Sequence, residues 1–266
     1  MTFEELANIQ NEIEQIQKTY EIFQEDVRLN HSQAARVEFL TTVKVIGDYL
    51  KPGMKILDIG AGTGAYSLHF AELGYEVCAM ELAEANLQVF RQKIQPSHKL
   101  ELVQGNAVDL SRYTDESFDV VLLFGPLYHL HGEADRQKCI AEAKRVCKRD
   151  GTLCFSFIGH DMVFLTELMW NQSYFSDGDY NKETFRLDDF PFVFFTVPEC
   201  RAMLERGGIH ILREVAADGV SELMEEKINA MDAENYAQYL RYHFYTCEKP
   251  EMLGRSNHLL FVGKKQ

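Results

Sequence analysis

Positive charge is scarce in this chain of 266 residues: 27 Lys and Arg stand against 41 Asp and Glu, a formal net charge of −14. So acidic a surface repels phosphate backbones, which argues against a nucleic-acid partner unless a basic patch interrupts it. The one short patch, Lys144-Arg145 to Lys148-Arg149, falls at the end of an expected helix, where cations complement the helix dipole. The six cysteines, Cys78, Cys139, Cys147, Cys154, Cys200 and Cys247, contain no C-x-x-C pair. Zinc-ribbon spacing is therefore missing and a disulfide framework is not expected, so free thiols in a reducing cytoplasm fit best. The N-terminal Met1–Glu5 lacks the basic and apolar regions of a signal peptide. No apolar run approaches the roughly 18 residues of a membrane span. Repeats and low-complexity tracts are missing too. Asp177, Asp179, Asp188 and Asp189 have loop spacing rather than that of an ion cage, and no metal is expected.

What is present is a core: 46% of residues are hydrophobic and 12% aromatic. From Met54 onward the pattern alternates. Strands are expected at Met54–Ile59, Tyr75–Met80, Leu100–Gln104, Phe118–Phe124 and Gly151–Ile158, with helices at Ala65–Leu73, Ala83–Ile94 and Glu133–Lys148 and a short helical stretch near Val108–Tyr113. Continuous apolar runs such as Phe118–Phe124 mark strands buried on both faces, as in parallel sheets. The alternation predicts a doubly wound α/β fold with a mostly parallel, seven-stranded sheet. Ile209–Ala216 and Leu259–Val262 supply the last two strands, as an antiparallel edge pair. Before the core, Phe3–Val27 has the i, i+3/i+4 spacing of one amphipathic helix, and a second runs from about Gln33 to Leu50. A Thr196-Val197-Pro198-Glu199 capping box starts a helix after an aromatic excursion. One domain is expected over 1–266: a helical lid (1–50), a cofactor-binding core (51–158), and substrate-side insertions at 159–196 and 219–250.

The centre of the chain is Asp58-Ile59-Gly60-Ala61-Gly62-Thr63-Gly64. A buried strand, a turn of alternating glycines and a helix start build a crevice at the carboxyl ends of the strands, where open α/β sheets bind ligands. Glu81, seventeen positions after Gly64, ends the next strand and is placed to accept hydrogen bonds from ribose hydroxyls. Asn106 and Ala107 follow the third strand and are placed to meet adenine. Asp58 disfavours a diphosphate but suits a cationic amine. A ligand with adenine, ribose, an amino-acid head and a sulfonium meets these demands, namely S-adenosylmethionine.

These motifs, Asp58 to Gly64, Glu81 and Gly105-Asn106-Ala107, resemble those of class I S-adenosylmethionine-dependent methyltransferases, most clearly over Met54–Ile158. The resemblance implies a Rossmann-like methyltransferase fold, with S-adenosylhomocysteine as product. It assigns the methionine part to Asp58, Gly60, Ala61, Gly62 and Gly64, the ribose to Glu81 with Leu82 beside it, and adenine to Asn106 and Ala107. Many relatives carry Asp where this chain has Asn106. Phe124-Gly125-Pro126-Leu127-Tyr128-His129 would lie between donor and acceptor, with Phe124 and Gly125 against the donor. Gly125 and Leu127 depart from the motif of nucleic-acid amino-methylases. The string is closer to small-molecule methyltransferases of the quinone-biosynthesis kind.

A general base is useful when the acceptor is an O–H or a protonated amine. His129 is the first candidate and Tyr128 the second. Arg36, or else Arg28, is expected to pair the donor's carboxylate. Aromatic residues of the insertions, among them Trp170, Phe192 and Tyr236, either roof a small, apolar or aromatic acceptor or form core. The expected function is methyl transfer to a small molecule in the cytoplasm. A cofactor-binding regulatory protein without turnover and a protein or RNA methyltransferase remain open, as does the choice between monomer and homodimer.

Overall fold

The computed structural model describes residues 3–23 and 25–266. Met1, Thr2 and Gln24 lie outside the described residues, so the expectation about the extreme N-terminus has no structural counterpart. The expected first helix is broken into α1 (Phe3–Ala7), α2 (Glu12–Ile22) and α3 (Glu25–Arg28). The break before α2 has a local cause: Asn11 takes an extended conformation and its side chain accepts from the Glu14 amide at 3.0 Å, which caps a new helix. Then come α4 (Arg36–Gly47), β1 (Lys55–Ile59), α5 (Ala65–Glu72), β2 (Glu76–Glu81), α6 (Glu84–Lys93), β3 (Leu100–Gln104) and β4 (Phe118–Leu123). Turns occupy Val108–Tyr113, where helix was expected; Asn106 and Asp109 side chains accept from the amides two residues on and hold the backbone in turns.

After β4 follow α7 (Pro126–His129), α8 (Glu133–Val146), β5 (Cys147–Gly159), α9 (His160–Trp170) and α10 (Tyr174–Asp177). The chain closes with β6 (Phe194–Phe195), α11 (Val197–Arg206), β7 (Ile209–Ala216), α12 (Glu225–Asn229), α13 (Ala233–Thr246), α14 (Pro250–Leu253) and β8 (His258–Lys265). The sheet order is β3-β2-β1-β4-β5-β8-β7, with β8 antiparallel to both neighbours and the other pairings along the order parallel. The expected seven strands form this path. An eighth, β6, pairs with the end of β5 and was not anticipated, because two residues leave no periodicity to read.

Each sheet face has its own core. On one, β1, β4 and β5 present Leu57, Val121 and Phe155 to Ile140 and Ala143 of α8 and Leu204 of α11. On the other, Ile56, Val120 and Cys154 meet Ile46 of α4 and Phe70 of α5. Complete burial of such a side chain stabilises the fold by roughly 1.5–3 kcal/mol. All six cysteines are free and buried. Among the described residues no helix is long and apolar enough to cross a membrane.

The excursion after β5 divides: Val193 and Phe195 join the sheet core and Phe192 packs on Tyr128. Phe164, Tyr174, Tyr180 and Leu187 pack into a separate cluster, so most of its aromatic content is local core. The second insertion instead braces the N-terminal segment: the Tyr236 hydroxyl donates to the Gln33 carbonyl at 2.7 Å and Asn229 accepts from the Ala34 amide at 3.0 Å. Thr196 and Glu199 form the expected capping box on α11. Thr196→Ala is expected to lower stability by about 1 kcal/mol in urea denaturation, with an unchanged slope on denaturant.

Candidate functional site

β1 lies between β2 and β4, which places the reversal of strand order directly beyond its carboxyl end. There the chain turns sharply. The amides of Gly60 and Ala61 both donate to the Met80 carbonyl, at 2.9 and 3.0 Å, and bend the backbone over β2. Gly60 and Gly64 have φ of 79° and 90°, the left-handed region. A Cβ at Gly60 would sit 2.4 Å from the Phe124 carbonyl oxygen, and one at Gly64 2.3 Å from the Phe90 ring. Both the torsions and the space demand glycine.

Glu81 is 4% exposed and organises the turn from the end of β2. Its Oε2 accepts from the Gly62 amide at 2.8 Å; its Oε1 accepts from the Ala83 amide at 2.8 Å and from Asn86 Nδ2 at 3.4 Å. Burial pushes its pKa up, against these donors, which hold the carboxylate form. Asp58 lies beneath the turn at 1% exposure. Ser67 Oγ donates to its Oδ2 at 2.6 Å, while Oδ1 is buried without a hydrogen-bond partner. Burial drives the Asp58 pKa up to about 7, with the Glu81 charge adding to the rise and Ser67 opposing it. An orphaned carboxylate oxygen beside a glycine cradle is a vacancy for a cationic donor.

Three hollows run in a row through this region. A cleft of about 490 Å³ is lined by Gly60, Glu81, Leu82, Asn106, Ala107 and Gly125, with Ile16 and Tyr20 of α2 across it. Tyr20, Gly60 and Gly125 also line a second cleft of about 440 Å³, which holds Asp58, Ala61, Gly62, Glu25 and Arg28. Arg28, Tyr66, Phe124 and Tyr128 connect this to an inner cavity of about 300 Å³ that reaches Glu38, Thr42 and Ser156. The first cleft has the residues expected to meet a nucleoside, and the second those expected to meet an amino-acid head. Gly64, which lines none of the three, is the left-handed residue preceding α5.

Two expected site residues are corrected. Arg36 is exposed at the start of α4 and lines none of these hollows; Arg28 occupies the position foreseen for it. The reason is the turn after α3, which directs Arg28 inward to Glu25 at 3.0 Å and to Glu38 at 2.7 Å. His129 lines the nucleoside-side cleft rather than the inner cavity. Its Nε2 shares a hydrogen bond of 2.7 Å with the Tyr20 hydroxyl, and burial pulls its pKa down to about 3. A neutral imidazole so held is a poor proton acceptor at neutral pH; it fastens α2 to α7, with the Phe192 ring packed 5.1 Å from it. Tyr128 lines both the head cleft and the inner cavity, and burial raises its pKa well above the phenol range.

Sequence reasoning missed a buried chain of charges. Glu38 Oε2 takes Arg28 Nη1 and, at 3.3 Å, His258 Nδ1; the same Nδ1 lies 2.7 Å from Asp218 Oδ2. Ser256 Oγ donates to Asp218 Oδ1 at 2.5 Å. Burial alone would lower the His258 pKa, but Glu38 and Asp218 outweigh it and lift it to about 9. Ligand atoms of Glu38, Asp218 and His258 lie within 4.8 Å of one another, a grouping that no sequence spacing announces.

Residues 57–155 match the family model described as a methyltransferase domain. A glycine/sarcosine N-methyltransferase of Aphanothece halophytica is 28% identical over 143 residues, 53% of this chain and 52% of that protein. A demethylmenaquinone methyltransferase of Lysinibacillus sphaericus is 34% identical over 106 residues, 38% of this chain and 43% of that protein. The chain thus spans about half the length of these curated relatives. Among solved structures, a protein of Pyrococcus horikoshii has a TM-score of 0.61 at 18% identity, with 94% of this chain and 99% of that one covered. The magnesium protoporphyrin IX methyltransferase of Synechocystis, solved with bound S-adenosylhomocysteine, has a TM-score of 0.55 at 16% identity, with 91% and 86% covered. Residues 57–155, which carry the glycine turn and both acids in register, are thus similar to the methyltransferase-domain family, and the fold is shared with these solved structures.

Proposed function

We propose that the protein transfers a methyl group from S-adenosylmethionine to a small-molecule acceptor. The observation that carries this reading is the row of three hollows, with an orphaned acid beneath the glycine turn and a fully hydrogen-bonded acid at its rim. S-adenosylmethionine supplies a methyl on a positively charged sulfur, already activated for displacement.

The residues of the chain hold, orient and exclude water. Glu81, oriented by Gly62 and Ala83, accepts from the ribose hydroxyls. Leu82, Asn106 and Ala107 form the adenine side of the cleft, with Ile16 and Tyr20 closing it. Asp58 and the Gly60–Gly64 turn receive the amino group, and Arg28 pairs the carboxylate. Glu25 carries its carboxylate beside Gly62 and Arg28, on the same side as that head. Tyr128, Phe124 and Gly125 separate donor from acceptor. Helices α2 and α3 act as the cover that keeps water out. The inner cavity is small and bounded by polar side chains, which supports a small molecule rather than a macromolecule as acceptor. A small-molecule acceptor also accords with the family match and with relatives named for glycine and demethylmenaquinone methylation.

Protein incubated with methyl-tritiated S-adenosylmethionine and a cell extract is expected to label a fraction below about 1 kDa; label confined to protein or RNA would refute the small-molecule reading. In calorimetry, Glu81→Ala is expected to weaken S-adenosylhomocysteine binding tenfold or more, because charge-assisted hydrogen bonds to both hydroxyls are lost. Binding should also be proton-linked. The free Asp58 carboxyl holds a proton below about pH 7, and an ammonium beside it favours the ionised form, so binding between about pH 5 and 7 releases up to one proton. Calorimetry in buffers of different ionisation enthalpy measures this release, and Asp58→Asn should remove most of it.

A further inference from the structure

The inner cavity has a polarity that selects among acceptors. Its lining includes Arg28, Glu38, Thr42, Tyr66, Tyr128 and Ser156. Glu38 is only 8% exposed, and both of its cationic partners, Arg28 and His258, lie on Oε2, so Oε1 is the oxygen left for a bound molecule. Behind it, His258 is fixed by Asp218, which is in turn held by Ser256.

We propose that the methyl acceptor is a small aliphatic amine that docks in this cavity against Glu38, with the His258–Asp218 pair as the positioning support of that carboxylate. The proposal rests on the methyl-transfer reading above, and three arguments carry it. The first is charge. Arg28 and His258 give two cations; Glu25, Glu38 and Asp218 give three anions, so the group has one negative charge in excess. The amino-acid head of the donor is a zwitterion and leaves that excess unchanged; the sulfonium of S-adenosylmethionine offsets it, and the neutral sulfur of S-adenosylhomocysteine restores it. A molecule placed against Glu38 meets a largely buried carboxylate, which favours a cation or a strong hydrogen-bond donor and repels a carboxylate. The second is satisfaction of polar groups. A hydrocarbon or quinone ring would leave Glu38 Oε1 without a hydrogen-bond donor, at about 1–3 kcal/mol. The third is position: Arg28, Tyr66, Phe124 and Tyr128 belong to both this cavity and the head cleft, so a molecule here adjoins the donor across those shared side chains.

An aliphatic amine arrives as an ammonium paired with Glu38 and loses one proton to water. The freed nitrogen lone pair forms the bond to the methyl carbon as the carbon–sulfur bond breaks. Sulfur leaves as a neutral thioether and the methylated nitrogen carries the positive charge.

The test uses the whole protein saturated with S-adenosylhomocysteine and three probes of equal length: n-butylamine, n-butanol and butyrate. Saturation-transfer NMR and competition titrations are expected to show butylamine bound at least tenfold more tightly than either of the others. Glu38→Gln, measured at saturating S-adenosylhomocysteine, should abolish that preference. Ser156→Leu, which fills the cavity from β5 without touching the charged chain, should exclude all three probes; it decides the matter if Glu38→Gln does not fold. Equal binding of butanol or butyrate, or a preference that survives both substitutions, overturns the proposal. So does a zinc or manganese titration that stabilises the protein more than butylamine and loses its effect in His258→Ala, since the cluster is then a cation site. Failure of the wild type to bind S-adenosylhomocysteine at all would strike the donor reading instead.

Discussion

The hydrogen bond from the Gly62 amide to Glu81 Oε2, 2.8 Å long, is the contact on which the site depends. It joins the turn after the first strand to the end of the second, and so fixes the backbone cradle and the ribose-facing acid in one step. Its strength comes from burial. A carboxylate at 4% exposure without donors would be costly, and three N–H groups aimed at it offset part of that cost. The glycines follow from the same contact. A backbone bent tightly enough to deliver Gly62 to Glu81 has positive φ at Gly60, Gly62 and Gly64 and no room for side chains against Phe124 or Phe90.

Around this rigid centre the N-terminal helices form a cover held by specific side chains. Tyr20 bonds to His129, Lys93 pairs with Asp26 and also donates to the Thr63 carbonyl, and Arg28 is drawn inward by Glu25 and Glu38. The two residue types that look most chemical in the β4 loop divide their labour differently from expectation. His129 serves attachment of the cover through its Tyr20 bond, because burial, with His131 adding to it, pulls its pKa down. Tyr128 faces the cavities.

Much of the architecture was legible in the chain. The apolar runs, the glycine turn and the acid seventeen positions on gave the alternation of strands and helices, the place of the crevice and the expected ligand, because each is written in local spacing. The capping box at Thr196 was legible for the same reason. The single helix expected over 3–27 was not found: amphipathic spacing continued through Asn8–Asn11, but capping there favoured a restart. Aromatic density after β5 left roof and core both open; Phe164, Tyr174 and Tyr180 form a local cluster, while Phe192 packs on Tyr128 and His129, since composition does not say which way rings face.

The sequence by itself determined the donor side of this protein: Asp58, the glycine turn and Glu81 lie on adjacent strands whose register is set by local hydrophobic pattern. Only the tertiary structure decided the rest. It placed Arg28 rather than Arg36 beside the glycine-turn cleft, set His129 against Tyr20, and brought Arg28, Glu38, Asp218 and His258 into one partly buried chain from positions up to 230 residues apart. No periodicity records such a meeting, because it is produced by the packing of α4 against β8 and the loop after β7. Local pattern builds the crevice, and long-range packing of charge sets what lies beyond it.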